Sequence, residues 1–167
     1  KIELIMKQAH VAVTDRPVVP AALKRAALTG ATAAALELPD GKIITGKTSD
    51  LLGPCSALLL NALKTLAGTS DERHVISPEA IEPIQRLKTE YLGSHNPRLH
   101  TDEVLIALSI SAAADPDAQK ALEQLPKLNG CQAHATSMLS TVDIKQFKRL
   151  GIQMTAEPVY ENKRLYH

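Results

Sequence analysis

The chain has 167 residues, with 19 Lys and Arg against 18 Asp and Glu for a formal net charge of +1; this length fits one domain, and 44% hydrophobic residues suffice for its core. Without a basic excess, and with aromatic residues at only 2%, it has neither an electrostatic footprint for DNA nor a stacking surface for single strands, so no nucleic-acid partner is expected. Cys55 and Cys131 form no C-x-x-C pair, no apolar run approaches the roughly 18 to 20 residues of a membrane span, and no signal pattern is present; the reading is cytoplasmic, with no membrane partner.

The chain opens KIELIMK, inside an expected amphipathic helix and without an initiator Met, which reads as a piece of a longer protein. Residues 1–19 are taken as that helix and a linker, the end of a preceding region, and 20–167 as a single α/β domain. PAALKRAALTG predicts a short helix from Pro20, capped by Gly30. In ATAAALELPDGKIITGK, apolar stretches flank Pro39-Asp40-Gly41, the signature of a hairpin with strands near 33–38 and 42–46. GPCSALLLNALKTLAG predicts a helix with Gly53 as N-cap, Pro54 first and Gly68 past the end. HVISPEAIEPIQRLKTEYLG predicts a strand at 74–76 and then a helix from Ser77-Pro78 to about Tyr91, kinked near Pro83. TDEVLIALSISAAA is a strongly apolar helix and DPDAQKALEQL a short surface helix with acids in its first turn. NGCQAHATSML is expected as a strand, TVDIKQFKRLG as a helix closed by Gly151, and IQMTAEPVY as a last strand. Strands interleaved with helices imply a mixed or largely parallel sheet covered on both faces.

GKIITGKT, residues 41–48, satisfies the phosphate-loop pattern G-x-x-x-x-G-K-[ST] letter for letter. Such a loop needs flexible backbone around the phosphates and a helix starting at its Lys-Ser/Thr end. Here two adjacent isoleucines follow a tight turn, and Gly53-Pro54 would cut short any helix from Lys47, so the segment reads as the second hairpin strand. Lys47 remains able to reach an anion from the strand end.

Two helices, over Leu58–Leu66 and Val104–Ala112, are apolar nearly all round and are expected to be buried on most sides. The start of a buried helix carries unpaired N–H groups and a partial positive charge, so what precedes each start matters. Before the second stands SHNPRLHTDE, with His95, Asn96, Arg98, His100, Asp102 and Glu103 in ten residues. Either Asn96 or Thr101 can cap that helix. In both cases Arg98 offers a bidentate fork to a phosphate or carboxylate, and His100 or His95 can transfer a proton near neutral pH. Asn96, Asp102, Lys47 and His134 are the further candidate ligand residues. No established metal spacing is present, and no metal is assigned. Cys55 falls in the first turn of the other helix, where the dipole favours thiolate. A Cys-His nucleophile would use His134 or His100 as base, although a small buried cysteine is the better reading. His134 on a strand reads as a satisfied core histidine unless the strand end lies beside the two helix starts.

ELPDGKIITGKTSDLLGP, LGSHNPRLHTDEVLIALSISAAADPDA and the tail around EPVYENKRLYH together resemble the C-terminal domain of a bacterial family known as domain of unknown function 1846, whose members are sometimes labelled ATP-dependent zinc proteases. The resemblance covers essentially the whole chain, and HNPRLH is its most specific block. It implies a parent about three times as long, with a Gly-rich GSGK-type segment in its N-terminal part. It also implies a three-layer α/β sandwich with a mixed sheet and cytidine-deaminase-like topology. The zinc deaminase motif itself is missing: Pro54-Cys55 has Leu58 where the second cysteine of P-C-x-x-C belongs, and no H-x-E precedes it. The protease label lacks its H-E-x-x-H. The expected function is the C-terminal lobe of a cytoplasmic enzyme that binds a small anionic, phosphorylated or nucleotide-like ligand at HNPRLH, its other partner being the rest of the parent chain. The alternative is a non-catalytic structural domain whose apolar helices serve self-association. An enzyme lobe should gather His95, Arg98, His100 and His134 around one cleft.

Overall fold

A computed structural model of the chain describes residues 16–160. The expected opening helix and most of its linker lie outside the described residues. Strands β1 (Ala33–Glu37) and β2 (Ile43–Lys47) pair antiparallel, with Leu36 opposite Ile44. The turn between them closes through Gly41 N–H to the Leu38 carbonyl and Lys42 N–H to Asp40 Oδ1, with Gly41 at φ 88°, which only glycine adopts without strain. Residues 41–48 are therefore turn and strand. Gly46 answers a packing demand: a Cβ there would lie 2.2 Å from the Leu58 backbone nitrogen, because the next helix crosses directly over the strand.

Strand β3 (Gln132–Ala135) lies antiparallel against the other side of β1, and β4 (Gln153–Ala156) pairs parallel with β3, giving the order β2-β1-β3-β4. A parallel pair needs a crossover, supplied here by helix α6 (Thr141–Arg149). The helices before it are α1 (Val18–Thr29), α2 (Pro54–Ala67), α3 (Pro78–Arg86), α4 (Thr101–Ala112) and α5 (Pro116–Leu122). Among the described residues the fold is thus α/β, a four-stranded mixed sheet with six helices.

Side-chain alternation along the strands separates two cores. Ala34, Leu36, Ala133 and Ala135 join the larger one with Leu58, Leu59 and Leu63 of α2, Leu108 of α4 and Phe147 of α6. Ala35 points the other way, onto Val18, Val19 and Ala22 of α1. The alanine-rich strands let α1 and α2 approach the sheet closely.

Three expectations change. Residues 74–76 form no strand; Val75 and Ile76 are buried as the apolar pattern demands, but their backbone bends into the start of α3. The first helix begins at Val18, placing Pro20 inside the first turn, where a missing N–H costs nothing. Helix α4 is not buried on most sides: Ile106 is 57% and Ile110 69% exposed.

Candidate functional site

Three chain segments converge on one cleft of about 210 Å³: Gly53-Pro54-Cys55 at the start of α2, the loop from Ser94 to His100 at the start of α4, and Ser137 to Asp143 running into α6. The N-terminal ends of all three helices border it, each with the partial positive charge of a helix start.

The loop is held by its middle residue. Leu99 is fully buried; its N–H donates to the Leu51 carbonyl, and its own carbonyl accepts from the Ser56 hydroxyl at 2.8 Å and from Gly53 N–H at 3.4 Å. With Leu99 anchored inward, Arg98 and His100 on either side reach the cleft. Arg98 Nε donates to the Ser49 carbonyl at 2.6 Å, which fixes the side chain, while its terminal nitrogens make no hydrogen bond or ion pair with the described residues. Both ends of the Arg98–His100 segment are clamped by an ion pair. Lys88, buried in the π-helical turn Leu87–Tyr91 that extends α3, donates to the Arg98 carbonyl and to Glu103 Oε1. Glu103 Oε1 in turn accepts from the His100 N–H at 2.8 Å, capping α4 from its third position.

Asp143 of α6 completes the arrangement. Its Oδ1 accepts from Thr101 N–H at 3.0 Å and from the Thr101 hydroxyl at 2.7 Å, and its Oδ2 lies 3.9 Å from His100 Nδ1. At 3.9 Å the two are too far apart for a normal hydrogen bond, and Asp143 acts on the ring through its charge. It raises the His100 pKa above 6.5, outweighing the burial and the Lys88 charge that act against it. Burial pushes the Asp143 carboxyl up, but His100 and the two Thr101 donors prevail and hold it below its ordinary value. The pair is thus a titratable group held beside a fixed arginine.

Of the residues named from the sequence, Asn96, Arg98 and His100 line the cleft. His95 does not; it is exposed and outside the lining. Lys47 lies exposed at the end of β2, away from the lining. Asp102 turns its carboxylate back onto the Glu103 N–H, serving the helix start. His134 is 3% exposed on the sheet face that α1 covers, with Nδ1 2.8 Å from Thr155 Oγ1 and Nε2 3.1 Å from Glu157 Oε1. Burial lowers its pKa, against the pull of Glu157. It is the satisfied core histidine. Cys55 lines the cleft at 1% exposure. Among the described residues no three His, Cys, Asp or Glu side chains gather as metal ligands.

Sequence reasoning missed Asp143 and Ser137. The one available signal was the Ser140-x-x-Asp143 cap pattern, in which Ser140 Oγ accepts the Asp143 N–H at 3.1 Å; it marks a helix start but says nothing of which loop that start meets.

A family model described as "Domain of unknown function DUF1846, C-terminal" matches residues 14–166. The chain is 56% identical over 99% of its length to a UPF0371 protein of Corynebacterium efficiens, covering 34% of that protein. It is 57% identical over 96% of its length to one of Corynebacterium aurimucosum, covering 32% of it. It is 48% identical over 99% of its length to one of Streptococcus equi subsp. zooepidemicus, covering 34% of it. The chain spans about a third of the length of the curated relatives it matches.

Proposed function

The chain belongs to the DUF1846 C-terminal domain family, and from that premise we propose that it is the C-terminal lobe of a cytoplasmic enzyme whose cleft binds a small anionic ligand. Arg98 and the helix starts hold the anion, and His100, its pKa raised by Asp143, serves as general acid or base. The observation that carries the reading is the meeting of Arg98, His100 and three helix N-termini in one cleft. The rest of the parent chain is the proposed second partner, supported by relatives about three times as long. We also propose a cytidine-deaminase-like topology; the order β2-β1-β3-β4, with β1 antiparallel to both neighbours, supports it. Membrane association is not part of the proposal: among the described residues no helix is long and apolar enough to cross a bilayer.

A thermal-shift screen of the parent protein against phosphate esters, nucleotides and carboxylates tests the reading, with Arg98→Ala and His100→Ala beside the wild type. A ligand at a hundred times its Kd adds about 2.7 kcal/mol. The expected result is a shift that Arg98→Ala abolishes; a shift that survives both substitutions would remove the cleft from the account. The second reading, a structural domain that self-associates, draws its support from the exposed Ile106 and Ile110 on α4.

A further inference from the structure

The two edges of the sheet are finished differently. On β2 the Thr45 carbonyl accepts from Asn61 of α2 at 3.0 Å, and the strand ends in Lys47, so a helix and a charge guard that edge. On β4 the Gln153 and Glu157 N–H groups donate inward, to the Cys131 and Ala135 carbonyls, and the alternation of a parallel ladder turns the main-chain groups of Met154 and Ala156 outward. No described residue outside the β3–β4 ladder hydrogen-bonds to them. The strand is short, but Gln153-Met154-Thr155-Ala156 has neither charge nor proline to discourage a further strand. Beside this edge, between α6 and β4, runs a groove of about 350 Å³ with Leu139, Ile144, Phe147, Ile152 and Met154 in its walls. Ile144 is 52% exposed, although Phe147, one turn on along α6, is buried. Edge and groove together offer what an added strand needs: main-chain partners, and a seat for its alternate apolar side chains.

We propose that an extended segment from the N-terminal part of the parent protein adds to β4 as a fifth strand, its apolar side chains covering Ile144 and Met154. This rests on the parent-chain reading above and is independent of the anion cleft. Two observations select that occupant. The matching family model is a C-terminal one and the chain covers 34% of a relative, so most of such a parent lies on the N-terminal side. The described chain also enters at this side of the sheet: Arg16, its first residue, donates to the Ala133 and Gln153 carbonyls at 2.9 and 3.0 Å and to the Thr155 hydroxyl at 2.6 Å, straddling β3 and β4. The polypeptide leading into the domain is thereby delivered beside the free strand, a tether that a second copy lacks.

The test is hydrogen exchange at the Met154 and Ala156 amides of the full-length parent chain, joined to cross-linking from a photoreactive group placed at Lys148, exposed in the groove wall, or at Ile110 on α4 for comparison. Both amides are expected to exchange about a hundredfold or more slowly than free ones, at any protein concentration, and the group at Lys148 to capture a peptide from the N-terminal part of the same chain. Ile144→Asp, at a side chain half exposed in this domain, should speed exchange at both amides about tenfold while leaving the core amides of α2 as they were. Unprotected Met154 and Ala156 amides, or protection indifferent to Ile144→Asp, would overturn the proposal. So would protection that grows with concentration together with cross-links between two copies, which would give the edge to self-association. Cross-links to the N-terminal part from Ile110 but not from Lys148 would overturn this surface and keep the parent-chain reading; none from either position would remove both.

Discussion

His100 and His134 have opposite surroundings and should titrate on opposite sides of 6.5. Asp143 raises the His100 pKa, whereas burial lowers that of His134. The charged His100–Asp143 pair therefore stabilises the fold fully below pH 6.5, provided Asp143 is ionised, and that contribution is lost as pH rises through the elevated His100 value. The Asp143 part is present above 3.8 and is lost as pH falls through its depressed folded value. For His134 the sign reverses: its folded-state preference for the neutral ring contributes above 6.5 and is lost as pH falls through its lowered value. The His100 and His134 ring resonances followed by NMR across pH 5 to 9 should show midpoints above and below 6.5 respectively. Asp143→Asn, which keeps an acceptor for Thr101, should bring the His100 midpoint down and leave that of His134 in place. An unmoved His100 midpoint would mean that Asp143 does not govern it.

At the scale of elements, two contacts place the site. The first is the crossing of α2 over β2 at Gly46. Gly46→Ala would drive a methyl group into the Leu58 backbone, which cannot move without shifting the helix start that borders the cleft. A loss of about 3 kcal/mol is expected in urea unfolding, at the upper end for an overpacked site. Gly30→Asn is the contrast; that position has φ 69° and open space around it, and asparagine tolerates the left-handed region, so the loss should stay near 1 kcal/mol or below. The second contact is the Lys88–Glu103 pair. Lys88→Met leaves Glu103 half-buried beside the His100 N–H and frees the Arg98 carbonyl; a cost of about 2 to 4 kcal/mol is expected, less than for a fully enclosed pair because Glu103 is a fifth exposed. That substitution should also weaken anion binding, since it loosens the segment that presents Arg98.

These elements were legible to different degrees. The hairpin could be read because Pro39-Asp40-Gly41 and two isoleucines impose local geometry whatever surrounds them, and the ends of α2 because Gly53-Pro54 and Gly68 are terminal signals in themselves. HNPRLH stood out because its polar groups crowd into a few residues before an apolar helix. Asp143 and Ser137 did not, because they lie some forty residues away in sequence and come to the cleft only through the β3–α6 connection, a tertiary fact with no local signature. Val75-Ile76 shows the reverse failure: apolar burial without backbone pairing looks the same in sequence as a strand.

At the scale of the whole molecule, the exposed Ile106 and Ile110 lie one turn apart on α4, whose opposite side packs Val104, Ala107 and Leu108 into the core. Replacing both with Asp should change fold stability by less than about 0.5 kcal/mol per site, since neither is enclosed by the domain. Sedimentation velocity of the parent chain over a range of concentrations then separates the two readings of the domain. Mass-action assembly that the double substitution abolishes is expected from a self-associating domain, and a concentration-independent monomer from a lobe of an enzyme. The central claim, however, concerns the cleft. It is tested most directly by following the His100 ring resonances of the parent chain while inorganic phosphate is added at constant pH, in wild type and in Arg98→Ala. The account predicts a saturable movement of the His100 signals in the wild type, none for His134, and loss of the movement in Arg98→Ala. His100 signals that stay still while phosphate demonstrably binds elsewhere would contradict it.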